Sequence, residues 1–109
     1  MKSCFIPTEN KLCYGFNVRF DNNYRISVQF TPYNNYENKL NSTTNRYDHT
    51  EYYDAEVAIF YDKDEHTRNF VTGNILAKMM LNLPHDDEVA YRVTPNEVAR
   101  IISYVSNIS

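Results

Sequence analysis

The residues that could ligate a metal or attack a bond are three histidines, two cysteines and a scatter of carboxylates, and their spacing supports neither reaction. His49, His66 and His85 stand far apart, with no second His one helical turn away and no cysteine pair beside any of them, so zinc has no local scaffold. Asp62-Lys63-Asp64 followed by His66 resembles the start of a calcium loop. Thr67, however, occupies the position that needs glycine, and Gly73 stands where the bidentate glutamate belongs. Cys4 and Cys13 lie in no context that would activate a thiolate, and Cys13 sits at the mouth of a predicted strand. Gly15 and Gly73 are isolated, so no glycine-rich loop can cradle phosphate. Asp48, Glu51, Asp54 and Glu56 are close in sequence, but carboxylates beside an asparagine-rich stretch read as a solvated face. The expectation is a protein that is not an enzyme and carries no cofactor or metal.

What remains is recognition chemistry. Residues 33–53 hold Tyr33, Tyr36, Tyr47, Tyr52 and Tyr53 among Asn34, Asn35, Asn38, Asn41 and Asn45, with Leu40 the only aliphatic side chain. Tyrosine supplies large contact area at low entropic cost and asparagine supplies adaptable hydrogen bonds, the mixture used by binding loops. We therefore take Tyr33, Tyr36, Tyr47, Tyr52 and Tyr53, with Arg46 as their charged companion, as the candidate partner-binding residues. A nucleotide stacked on these tyrosines is the alternative ligand. A connection this long without periodicity is uncommon in a compact domain, and is usually functional or disordered.

The elements that must carry this insertion are legible on both sides of it. Tyr14, Phe16, Val18 and Phe20 alternate with polar or small residues, as do Tyr24, Ile26, Val28 and Phe30, giving a β-hairpin. A two-residue turn would put the two apolar rows on opposite faces. A three-residue turn, Asp21-Asn22-Asn23, pairs Phe20 with Tyr24 and Val18 with Ile26, and places Asn23 in the left-handed conformation. This register sets Arg19 opposite Arg25, which is unfavourable unless an acid intervenes. Glu56 to Tyr61 reads as a buried strand, with a second arm returning near Phe70 and Val71 before Thr72-Gly73-Asn74 breaks it. Ile75, Leu76, Met79, Met80 and Leu83 predict a short helix near 75–83, and Val89, Tyr91 and Val93 alternate in a last strand.

The clearest element is the last. Thr94 caps, Pro95 stands at the first helical position and Glu97 completes a capping box, after which Val98, Ile101, Ile102 and Val105 form one apolar stripe. Residues 4–7 read as an edge strand or an extended lead-in. The predicted fold is a single α+β domain over residues 1–109: an antiparallel sheet of four to five strands, the C-terminal helix on one face, a short helix near 75–83 and a Tyr/Asn-rich insertion at 33–53.

Composition narrows the partners. With 109 residues the chain is one domain, and its net charge of −3 leaves no footprint for duplex nucleic acid. The one acidic run, Asp86-Asp87-Glu88, reads as a solvated strand entrance. No stretch is apolar enough to span a membrane. Phe5-Ile6 reaches Pro7 too soon for an export signal, so a cytoplasmic location with reduced thiols is expected, and the Asn41-Ser42-Thr43 sequon is idle.

The segments Phe5-Ile6-Pro7-Thr8, Tyr14-Gly15-Phe16, Ser27-Val28-Gln29-Phe30, Glu56-Val57-Ala58-Ile59-Phe60 and Val93-Thr94-Pro95-Asn96-Glu97-Val98 resemble a group of small uncharacterised proteins encoded by phages and prophages. The resemblance covers strands and helix and leaves 33–52 and 74–86 aside, so it carries no catalytic residue over. It implies a small non-enzymatic protein that binds a host protein in the host cytoplasm, inhibitors of bacterial defence included. The alternatives are a small-molecule or nucleotide sequestering protein, for which a homo-oligomer is expected, and a virion or assembly component.

Overall fold

The structure, a computed structural model, describes residues 3–7, 14–30, 53–63 and 69–109. Six strands and two helices lie among them, in the order β1 (Cys4–Pro7), β2 (Tyr14–Arg19), β3 (Tyr24–Phe30), β4 (Ala55–Tyr61), β5 (Asn69–Phe70), α1 (Thr72–Met79), β6 (Ala90–Val93) and α2 (Pro95–Ser106). The fold is α+β. All strand pairings are antiparallel, in the order β1-β2-β3-β4-β5, with β6 also paired to β4.

The hairpin has the expected register: Val18 faces Ile26, Phe16 faces Val28, and Phe20 N–H donates to the Tyr24 carbonyl at 2.8 Å. Asn23 takes the left-handed conformation at φ 72°. Arg19 does stand opposite Arg25, and the acid that relieves them is Asp62, just past β4. Arg25 Nε donates to Asp62 Oδ2 at 2.8 Å, and Arg19 Nη2 lies 3.8 Å from the same oxygen. Arg25 Nη1 also donates to Asn17 Oδ1, and its guanidinium stacks 3.9 Å from the centre of the Phe60 ring. Arg25 and Asp62 are both buried, so neither could lose its partner cheaply.

The far edge of β4 is shared. Phe70 pairs with Phe60 at one end, Val93 pairs with Ala55 at the other, and residues 72–89 leave the sheet between them. Thr72 closes the gap this leaves. Its fully buried hydroxyl accepts a hydrogen bond from Ile59 N–H at 2.9 Å and donates to the Glu88 carbonyl at 2.7 Å, standing in for the missing strand.

That bond corrects the predicted helix boundary. Thr72-Gly73-Asn74 ends the strand as expected but forms the first turn of α1, which stops at Met79 because Met80 turns left-handed at φ 56°. Leu83 reaches the core from an extended segment, outside the helix. In β6 the expected alternation of Val89, Tyr91 and Val93 also fails. Arg92 at φ 55° makes a bulge, so the fully buried pair is Ala90 and Val93. The N-terminal segment is a true edge strand, which takes the sheet beyond the four to five strands expected.

α2 has the predicted capping box: Thr94 N–H donates to Glu97 Oε1 at 2.9 Å, and Thr94 Oγ1 accepts from Glu97 N–H. Ile101 and Val105 are fully buried against Ile26, Val28, Val57 and Ile59, while Val98 and Ile102 flank them half-buried. α1 contributes Ile75 and Leu76 to the same core. Asn22, in the hairpin turn, donates to the carbonyls of Val105 and Ile108 at 2.9 and 2.8 Å, tying the turn to the end of the helix.

Candidate functional site

The ends of the elements place the site. β3 runs away from the Asn22 turn and stops at Phe30; β4 returns from Ala55, β6 arrives at Val93, and α2 departs at Pro95. One end of the sheet therefore gathers the departure and the return of residues 31–52 and the first turn of α2.

An open apolar pocket of about 290 Å³ lies there. Its floor is Phe16, Val28 and Phe30 from the hairpin with Ala55 and Val93 from the neighbouring strands, and its wall is Pro95 and Val98 of α2. Asp54, half-buried, is the one charged residue among the described residues of the lining. Pockets that bind small molecules share this make-up, largely carbon with a few placed polar groups.

Of the predicted partner-binding residues, Tyr53 is described: it stands just before β4, 51% exposed, next to the pocket residue Asp54. Tyr33, Tyr36, Arg46, Tyr47 and Tyr52 lie outside the described residues. Of the pocket residues, Phe16, Val28, Phe30, Val93 and Val98 were expected on apolar faces, Asp54 on a solvated face and Pro95 at the start of the helix. The one signal in the sequence was position, since Phe30 and Asp54 bracket the tyrosine-rich stretch.

A second polar group forms at the rim of β4 and β6. Asp86 accepts from Tyr91 Oη at 2.7 Å and from the backbone N–H groups of Val89 and Glu88 at 2.7 and 2.8 Å. The Tyr91 hydrogen bond, then the two backbone donors, hold the Asp86 carboxyl below the ordinary carboxylate range. The same bond to Asp86 raises the Tyr91 phenol. Glu56, on β4, is raised by burial and then by the charge of Asp86. The geometry is that of a turn whose carboxylate organises its own backbone. It presents no nucleophile and no vacant donor set.

Among the described residues no three His, Cys, Asp or Glu side chains come together to hold a metal, and no helix is long and apolar enough to cross a membrane. Cys4 is an exposed free thiol on β1. His85 turns Nδ1 to the Leu83 carbonyl at 2.7 Å, which ties down its own loop.

The arrangement thus defines an α+β domain with a pocket at the insertion end of its sheet. No protein-family model, curated protein or solved structure matches the chain.

Proposed function

We propose that this is a non-enzymatic binding protein that engages a partner protein at the insertion end of its sheet, through Tyr33, Tyr36, Tyr47, Tyr52 and Tyr53 with Arg46. One observation carries the reading: the tyrosine- and asparagine-rich stretch leaves after Phe30 and returns at Asp54, both of which line an open apolar pocket. Aromatic residues beside a desolvated pocket are the usual composition of an interface hot spot. Given the resemblance to phage-encoded proteins, the partner is a host protein, and inhibition of a bacterial defence system is the narrower form of the proposal.

The test is capture from host lysate followed by a triple variant, Tyr33→Ala with Tyr36→Ala and Tyr47→Ala. The variant should unfold at the wild-type temperature and lose the captured protein. Unchanged affinity for that protein would sink the proposal. The pocket also favours a second reading, sequestration of a small molecule. Native mass spectrometry separates the two, because one retains a host protein and the other a small ligand.

A further inference from the structure

We infer that the sheet face turned away from the helices binds a free nucleoside monophosphate, its base stacked on Phe70 and its phosphate held by Arg19 beside Arg25. The inference uses none of the residues proposed for the partner interface, so it holds or fails separately from that reading. Register comes first. Arg19 stands opposite Arg25, Arg25 opposite Phe60 and Phe60 opposite Phe70, so one continuous row crosses β2, β3, β4 and β5. Side chains alternate along a strand, and Ile26 and Ile59, the neighbours of Arg25 and Phe60, belong to the core with Ile75 of α1 and Ile101 of α2. The row therefore lies on the other face.

The two ends of the row differ in chemistry. At one, two guanidiniums share the single carboxylate of Asp62, which leaves a positive charge in excess. Among the described residues Arg19 Nε and Arg25 Nη2 find no acceptor, so the cluster holds more donors than the protein pairs. Arg25 is fixed by Asp62, Asn17 and the Phe60 ring. Arg19 is held less tightly: its side chain is 26% exposed and Nη2 lies 3.8 Å from the carboxylate, so it is the group an incoming oxyanion meets. At the other end Phe70 is 43% exposed and its ring lies 4.5 Å from that of Phe60, a platform for one more ring.

Spacing and charge then choose the ligand. Arg19 reaches Asp62, just past β4, and Phe70 lies one strand beyond β4, so guanidinium and ring stand roughly 5–10 Å apart at the strand spacing of about 4.8 Å. An aryl phosphate, with phosphate directly on the ring, is short for both ends. A nucleoside monophosphate puts a sugar between them, and a sugar hydroxyl supplies the donor that Asp62 Oδ1 lacks. The chain's net charge of −3 opposes a polyanionic strand, which leaves the single nucleotide.

The experiment titrates adenosine monophosphate, adenosine, inorganic phosphate, phenyl phosphate and a single-stranded oligodeoxyadenylate into the full chain, following the Nε–H resonances of Arg19 and Arg25 and the ring resonances of Phe70. Adenosine monophosphate should move both sets together. It should bind about tenfold more tightly than adenosine, the gain of one charge-assisted contact, and about tenfold more tightly than inorganic phosphate, the gain of one stacked base. Arg19→Gln should bring it down to the affinity of adenosine, and Phe70→Leu to that of inorganic phosphate. Phenyl phosphate or inorganic phosphate matching adenosine monophosphate, tighter binding of the oligonucleotide per nucleotide, an affinity unchanged in Arg19→Gln, or resonances that respond to none of the probes would overturn the inference. The probe comparison needs no variant, so it decides the matter even if a variant does not fold.

Discussion

Replacing Thr72 by valine keeps the shape of the side chain and removes only its hydroxyl, which is fully buried beneath the gap between β5 and β6. Two hydrogen bonds go with it, from Ile59 N–H at 2.9 Å and to the Glu88 carbonyl at 2.7 Å. Their costs are unequal. Glu88 is exposed, so its carbonyl can turn to water, whereas Ile59 is fully buried and its N–H is shut off from water. Leaving one buried donor unpaired costs about 1–3 kcal/mol, and the added methyl returns a part of this, so a net loss of about 2 kcal/mol is expected. For a domain of this size that lowers the melting temperature by about 10 °C. Thr72→Ser keeps the hydroxyl and loses a methyl, which costs about 1 kcal/mol. Urea denaturation measures both, and amide exchange at Ile59 should accelerate in the valine variant alone. A valine variant within about 0.5 kcal/mol of wild type, or less damaging than serine, would refute the role given to this hydroxyl.

The other predictions concern backbone and charge. Gly15→Ala puts a Cβ 2.0 Å from the Val28 carbonyl oxygen, so β2 and β3 must part there; a loss of about 3 kcal/mol or more should appear in chemical denaturation. Met80→Gly should stabilise by about 1 kcal/mol, because Met80 is left-handed at φ 56° and 91% exposed, with little packing to lose; a lower melting temperature would contradict this. In pH titrations followed by carboxyl carbon shifts, Asp86 should titrate below and Glu56 above the ordinary carboxylate range, and Tyr91→Phe should move Asp86 upward. The signs for stability are opposite. Asp86, depressed, contributes above its unfolded pKa and loses that contribution as pH falls through its folded one; Glu56, raised, opposes folding at neutral pH and ceases to do so as it protonates.

How much of this was legible in the chain depends on whether the cause is local. The hairpin register was, because the apolar rows share one face only if the turn has three residues, and because Asn23 tolerates the left-handed position that turn requires. The cap of α2 was, since Thr94, Pro95 and Glu97 act within one turn. The start of α1 was not. Thr72-Gly73-Asn74 has the composition of a break, and what makes it a helix start is a hydroxyl bonded to a strand thirteen positions earlier. The bulge at Arg92 hides for a similar reason, as nothing in Tyr91-Arg92-Val93 departs from strand alternation. The pocket left no periodic trace: Phe16, Val28 and Val98 show the same apolar spacing whether they touch or stand apart, and the gap between them is set by how α2 lies on the sheet.

That placement is itself over-determined, which bears on what the insertion end can do. α2 runs from the pocket to the hairpin turn, about 18 Å for its 12 residues. One end is held by Thr94 and Glu97, the middle by Ile101 and Val105 in the core, and the other end by Asn22, which holds the carbonyls of Val105 and Ile108. Pro95 and Val98 are thus a wall fixed by contacts that lie mostly outside the pocket. A ligand entering there meets a preformed surface and need not order it, so less of the interaction is spent on conformational entropy. It also follows that an exposed side chain at this end, such as Tyr53, can change with little consequence for folding, whereas Asn22→Ala, at the opposite end of the helix, should loosen the helix that forms the wall and weaken pocket binding without touching a ligand.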